Sequence, residues 1–381
     1  MKHYNYIFTG TGLAALMTVY KMAHSGKYND KSILLLDEDS KKTNDRTWCF
    51  WEKEKTIWDS IISKKWDSAL FANANFNRNL DLQPYQYSKI QGLDFYNFVL
   101  ELLSKEKNIT FLNEKVTNIN ELENHVYVAS ENNSFTCDQV FNSIYNKAAV
   151  SKQTKFPLLQ QHFIGWNIKT TEAVFNPEQA TFMDFSVAQK GNTRFMYVLP
   201  ISENEALIEY TLFSAELLEK EEYETEIENY IQKLGIQNFE ITEKEQGSIP
   251  MTCYPFWKKN TKKVLNIGTA GGWTKASTGY TFKNADKKSS QLVRFLQQDT
   301  DLRKFHRKNR FWFYDLLLLD ILYRQNHLGS RIFSSMFKDG NPALIFKFLD
   351  EETSVTEDIK VILKCPKMLF IKALLKSVRY L

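Results

Sequence analysis

Gly10, Gly12 and Ala15 stand in the spacing G-x-G-x-x-A. The first glycine suits a tight turn, the second leaves the backbone open to a pyrophosphate, and the alanine lets a helix pack closely on a sheet. The flanks fit: residues 4–9 are an apolar-aromatic run, 13–24 carry a helical pattern, and 33–36 are an apolar run closing on Asp37. A helix opening at such a turn presents free N–H groups and partial positive charge to phosphate. Asp37, at the end of the second strand, is placed to accept hydrogen bonds from ribose hydroxyls. An acid there favours an unphosphorylated ribose, hence FAD or NAD over NADP. A second glycine-rich segment, residues 266–272 (NIGTAGG), follows another apolar run at 264–268. Flavoproteins of this architecture bring a late strand–turn–helix back to the ribityl and isoalloxazine end, so FAD is the expected occupant.

The elements that must position these residues read as follows. Residues 95–103 predict a helix, and 116–119, 126–129 and 139–143 predict strands. Residues from about 161 to 211 alternate apolar and polar positions, with strands expected at 163–168, 180–185, 193–199 and 205–212. Residues 216–234 predict an acidic amphipathic helix and 284–297 a further helix; from 302 onward the pattern is helical. The fold class expected is α/β: a Rossmann-like FAD-binding domain (1–150 and 255–300) interrupted by an antiparallel-sheet substrate domain (151–254), with a helical C-terminal section (301–381).

Composition narrows the function classes. The 381 residues are 43% hydrophobic and 25% charged, which is a globular composition with room for more than one unit. A net charge of +4, without a basic patch interleaved with aromatics, argues against a nucleic-acid partner. The four cysteines are far apart and the six histidines scattered, so neither a metal site nor a disulfide framework is expected. Residues 1–10 read as a strand, without the apolar stretch of a secretory signal. No apolar run is long enough for a membrane-spanning helix.

Several further segments, taken in order, resemble the lycopene β-cyclase family of bacteria and plants: 46–50 (RTWCF), 161–165 (QHFIG), 182–184 (FMD), 194–200 (RFMYVLP), 207–211 (LIEYT), 245–252 (EQGSIPMT) and Gly268 through Thr278, Gly279 and Tyr280. The likeness runs from residue 1 to roughly 365. It implies cyclisation of the ψ-ends of lycopene to β-rings, giving β-carotene via γ-carotene, as a non-redox isomerisation beside reduced FAD, with NAD(P)H as electron source. It also adds Arg46, Gly268, Gly271, Gly272 and Gly279 to the expected flavin contacts.

Protonating an alkene carbon requires an acid that stays neutral in a dry pocket, and a buried glutamate meets both needs. Glu209, among Leu207, Ile208, Tyr210 and Leu212, is the candidate, and the resemblance gives this position the essential glutamate. Read from its alternating pattern alone, Glu209 would equally stand on the solvent face. Asp184 is either a partner polarising Glu209 or a structural acceptor. Trp48, Phe50, Tyr197, Tyr210 and Tyr280 are candidate wall residues, able to stabilise a cation. The chain departs from the family at 142–145 (NSIY, for an Asp-Gly-Arg-Gly-like turn), at Tyr210 (for an acid) and at Ala276 (for a proline).

Lycopene dissolves in bilayers, so contact with a membrane surface is expected, peripheral on the cytoplasmic face of the cell membrane. Residues 360–381 carry Lys360, Lys364, Lys367, Lys372, Lys376 and Arg379 among apolar residues, which suits an anionic surface or a packed terminal helix with a solvated face. Residues 311–323 are apolar but hold Asp315 and Asp320, and packing in the core is expected. Two other readings remain on the sequence: a flavin-dependent monooxygenase or dehydrogenase of the same fold, and a non-catalytic isoprenoid-binding protein.

Overall fold

The computed structural model describes residues 1–380. Leu381 and the side chain of Arg379, both part of the basic C-terminal stretch, lie outside the described residues.

The strand Lys2–Thr9 forms the centre of the first sheet, parallel to Ile33–Asp37 on one side and to Ser134–Asn142 on the other. Ile109–Asn113 extends the parallel part next to Ile33–Asp37. Val126–Ser130 and Val116–Glu121 continue the other side antiparallel. Its side chains serve two cores. Tyr6 and Phe8 meet the helices Leu13–Ser25, Gly92–Leu103 and Phe282–Phe295, while Tyr4 and Ile7 pack with Val126, Val128 and Val140. Leu13–Ser25 and Phe282–Phe295 are joined through small buried residues, the Thr18 hydroxyl donating to Ser289 Oγ at 3.0 Å. After a long excursion the chain returns through Val264–Asn266, which pairs parallel with Ser134–Asn142.

The excursion builds a seven-stranded sheet in the order Phe239–Thr252, Leu158–Thr170, Glu205–Ser214, Thr193–Pro200, Gln179–Asp184, Ser68–Ala72, Asn77–Asp81. One face packs on the helix Lys220–Lys233 through Met196, Ile208, Tyr210, Ile227 and Tyr230. The other faces the C-terminal helices through Leu207, Phe195 and Phe213. Two strands in this sheet come from residues 68–81, which the sequence reading places in the nucleotide-binding domain. They join because Ser68–Ala72 pairs parallel with Gln179–Asp184, a tertiary pairing with no local signature. A small sheet of Thr47–Glu52, Gln86–Gln91 and Lys64–Trp66 bridges the two large ones. The 14-residue strand Phe239–Thr252 also has no counterpart among the predicted elements. Its positions 242–248 are all polar or glycine, so its middle carries no apolar alternation.

The C-terminal section is helical as expected, with Arg310–Arg324, Gly329–Asp339, Pro342–Leu349, Val355–Ile362 and Lys367–Lys376. Side-chain caps fix several starts, Asn309 and Asn341 among them, and Ser354 with Glu357 forms a capping box. The first of these helices packs in the core through Leu316, Leu319 and Leu322. Its Asp315 lies 2.9 Å from Lys275 Nζ and accepts from Ser277 Oγ at 2.8 Å, which ties the helix to the late glycine-rich turn.

Candidate active site

The first glycine turn is open where a phosphate would need it. Gly10 has φ +81°, and a Cβ there would lie 2.4 Å from Ser143 Oγ. A Cβ on Gly12 would meet no heavy atom within 4 Å, leaving free space before the N-terminus of Leu13–Ser25. Ala15 is fully buried beneath it. Asp37 accepts from the Thr11 amide at 2.6 Å, the Thr11 hydroxyl at 2.9 Å and the Asp39 amide at 2.9 Å. Burial opposes its charge, but the amides of Asp39 and Thr11 and the nearby Lys41 outweigh that and hold the carboxyl below its ordinary value. Asp37 is therefore ionised, with lone pairs left for ribose hydroxyls.

The late turn does return to this place. Gly268 has φ +59°, and a Cβ on it would lie 3.3 Å from Ala14 Cβ, so the two turns touch. Gly271 admits no side chain because the Asn266 carbonyl oxygen would be 2.1 Å away. Gly272 is left-handed and caps the short 3₁₀ turn Gly268–Gly271. Gly279 is left-handed too, against Gln161 Oε1. Arg46 stands at the exposed edge, 3.5 Å from Asp45. Gly12, Arg46, Gly268 and Gly279 line one cavity of about 930 Å³, a cradle whose shape and donors fit a dinucleotide.

The same cavity continues over the second sheet. Along Glu205–Ser214, Leu207, Glu209, Thr211 and Phe213 line it, while Ile208, Tyr210 and Leu212 face the opposite helix. Glu209 is thus buried and points into the apolar space, not to solvent. Its Oε1 accepts a short hydrogen bond from the Thr211 hydroxyl. Burial, and then the neighbouring Glu245, push its carboxyl well above the ordinary value, which favours the neutral acid. Glu245 also lines the cavity and accepts from Thr47 Oγ1 at 2.8 Å. Burial raises its carboxyl as well, against the pull of Thr47 and Lys89. Sequence reasoning gave Glu245 no role; its place in the segment 245–252 was the available signal.

Of the candidate wall residues, Trp48, Tyr197 and Tyr280 line the cavity. Tyr197 is paired directly across from Glu209. Its hydroxyl makes a short bond to Tyr87, which also meets Tyr280 at 2.9 Å. Phe50 and Tyr210 are elsewhere. Phe50 stacks on Phe282 at 4.5 Å, and Tyr210 accepts from Arg194 at 3.2 Å on the helix side. Asp184 does not join Glu209 either. It accepts from the Tyr230 hydroxyl at 2.9 Å and the Ser186 amide at 2.8 Å, on the sheet face covered by Lys220–Lys233. This placement suits the structural acceptor rather than the auxiliary acid. Its cause is a bulge: Thr181 pairs with Val198 but Asp184 with Met196, so the extra residue turns Asp184 to the helix side.

At its far end the cavity is walled by Phe182, Phe333, Phe337, Phe313 and Phe370 and reaches Leu363, Ile371 and Leu374 of the last two helices. Among the described residues no group of His, Cys, Asp and Glu could hold a metal ion, and no helix is long and apolar enough to cross a membrane.

A dinucleotide cradle on a parallel sheet, an antiparallel sheet beside it and a helical cover define an α/β protein with the fold of flavin-dependent enzymes. Solved structures agree. A geranylgeranyl bacteriochlorophyll reductase-like protein from Thermoplasma acidophilum matches with a TM-score of 0.63 at 11% identity, covering 98% of both chains. A flavoprotein/dehydrogenase from Cytophaga hutchinsonii matches at 0.65 and 10% identity, over 99% of this chain and 100% of that one. A flavin-dependent brominase matches at 0.59 and 11%, over the whole of both chains. At these identities the likeness is one of fold. No curated protein sequence matches the chain. The model of the lycopene cyclase protein family matches residues 5–375, and the chain belongs to that family.

Proposed function

We propose that the protein binds FAD and cyclises the ψ-ends of lycopene to β-rings, giving β-carotene through γ-carotene without net redox change. The observation that carries this reading is the buried Glu209 in an apolar cavity continuous with the dinucleotide cradle, where burial favours its neutral form. Gly10, Gly12 and the start of Leu13–Ser25 would hold the pyrophosphate, Asp37 the ribose, and Gly268 through Gly279 the flavin end. FAD, kept reduced by NAD(P)H, supplies an electron-rich surface that favours a nearby cation. Glu209 delivers a proton to the terminal alkene, and its neutral form is available because water and countercharge are kept away. Trp48, Tyr197 and Tyr280 offer aromatic faces to the resulting cation. The phenylalanine-lined end of the cavity accepts the polyene chain by apolar burial alone.

The substrate's source is proposed to be a membrane, with the protein peripheral on its cytoplasmic face. Val355–Ile362 and Lys367–Lys376, which reach the cavity, leave Leu363, Met368 and Leu375 more than half exposed. Lys360, Lys364, Lys367, Lys372 and Lys376 surround them in solvent. Apolar residues within a basic ring suit insertion into an anionic interface.

The test is incubation of purified protein with lycopene in anionic liposomes and reduced FAD under anoxia. The reading requires cyclised products of unchanged mass. Lycopene recovered unchanged from flavin-loaded protein, or a hydrogenated product of higher mass, would overturn it.

A further inference from the structure

Glu209 and Glu245 stand on strands that do not pair with one another. Leu158–Thr170 lies between them, and its Gly165 is the partner of Glu209 on one side and of Glu245 on the other. Residues two strands apart are separated by roughly 10 Å of backbone, and an ordinary side chain on the middle strand would fill the gap. Here there is none. A Cβ on Gly165 would lie 3.2 Å from Glu245 Cγ and 3.4 Å from Glu209 Cβ, so both glutamates lean over the glycine. Both side chains line the same cavity, and each carboxyl influences the protonation of the other. Each has one hydroxyl donor, Thr211 for Glu209 and Thr47 for Glu245.

We propose that Glu209 and Glu245 act as a carboxyl pair sharing one proton, in which Glu245 is a positioning residue that keeps the proton on Glu209 and helps take it back at the end of the reaction. This rests on the cyclase reading. In the forward step the Glu209 O–H bond breaks and a C–H bond forms at the terminal alkene, leaving a tertiary cation. The electron pair of the neighbouring double bond closes the ring. A ring C–H bond then breaks, its electrons form the ring double bond, and the proton returns to the pair. No oxidant or reductant is consumed. Two adjacent carboxylates exist only while the cation is beside them, so their mutual repulsion is relieved when the charge appears.

The groups around the pair are consistent with one proton. Lys89, on Gln86–Gln91, favours the anionic form of Glu245, and Glu243, on its own strand, opposes it. Cys49, from Thr47–Glu52, is pushed up to about 12 by burial and stays neutral. Tyr197, from Thr193–Pro200, Tyr87, from Gln86–Gln91, and Tyr280, from the late turn, are raised by burial too and stay neutral.

The experiment is the pH profile of cyclisation by flavin-loaded wild type, Glu245→Gln and Glu245→Asp, with infrared titration of the carboxyl C=O band in the same proteins and in Glu209→Gln. Activity requires protonated Glu209, so it falls as pH rises through that group's pKa. Removing the charge of Glu245 lowers that pKa, and the alkaline limb should move about one pH unit or more toward acid, the size expected of strongly interacting sites. Glu245→Asp should move it back. The carboxyl band that persists at neutral pH should vanish in Glu209→Gln and titrate lower in Glu245→Gln. An unchanged titration in Glu245→Gln would overturn the pair. If wild type forms no cyclised product, the cyclase reading falls while the infrared titration still decides the pair; if Glu245→Gln does not fold, Glu245→Asp and Glu209→Gln decide it.

Discussion

Gly165 is registered on Glu209 from one neighbouring strand and on Glu245 from the other, and it is the residue over which their side chains meet. A single methyl group at this point would reach Leu207 Cδ1 at 2.9 Å and both glutamates. Gly165→Ala should therefore push the acid out of line while the sheet remains intact. Misplacement by about 1 Å costs on the order of 10²-fold in rate. The check is kcat per bound flavin, with flavin occupancy and thermal unfolding near wild type; full activity would mean that the approach over Gly165 is unimportant.

Gly10 and Gly12 should separate fold from ligand. Gly10→Ala forces a left-handed residue against Ser143 and should lower both stability and flavin content. Gly12→Ala adds a Cβ that meets no protein heavy atom within 4 Å, so its thermal unfolding without flavin should be close to wild type. Its flavin affinity should fall, because the side chain takes the space reserved for phosphate. Flavin titration monitored by fluorescence checks both.

Asp184 should matter for stability and not for chemistry. Asp184→Ala leaves the buried Tyr230 hydroxyl without its partner, a loss of about 1–3 kcal/mol. Denaturant unfolding should show it, while turnover per folded, flavin-loaded protein stays near wild type. A large loss of turnover would restore Asp184 to the reaction.

Acid should loosen the protein before carboxylate protonation does. His162 is lowered to about 4, first by burial and then by Arg194, and His306 to about 4 by burial and Lys288. Ser214 donates to the Glu216 carbonyl, so the His162 ring donates to Ser214 and accepts from Tyr223. Burial and Arg194 disfavour a second ring proton, outweighing the Glu216 carbonyl, which favours it. The unfolded chain takes up these protons below about 6.5 and the folded protein only near 4, so stability is full above about 6.5 and falls as pH drops toward 4. Unfolding temperatures across this range check it, and His162→Gln should flatten the slope.

The βαβ unit was legible because its signals are local: glycines at fixed spacing, apolar runs on either side, an acid at the second strand's end. Glu209 was different. Alternation marked its strand, but only the likeness to a family chose the buried face, since both faces of this sheet are covered. Glu245 was not legible as a partner, because Phe239–Thr252 is polar in pattern and its register on Gly165 is set by pairing with a distant strand. Asp184 stayed open between two roles because a single bulged residue decides which face it takes. The small bridging sheet and residues 68–81 escaped for the same reason: short strands whose identity comes from their partners rather than their own sequence.

The central claim is that Glu209 is the acid of a lycopene cyclase. The most direct measurement is the carotenoid profile of a lycopene-accumulating bacterial host carrying the wild type or Glu209→Gln. The account predicts γ-carotene and β-carotene with wild type, and lycopene alone with a Glu209→Gln protein that is expressed and still binds flavin. General acid catalysis contributes on the order of 10²–10⁴-fold, so little product should form. Lycopene alone from wild type, or cyclised carotenoids at wild-type level from Glu209→Gln, would contradict it.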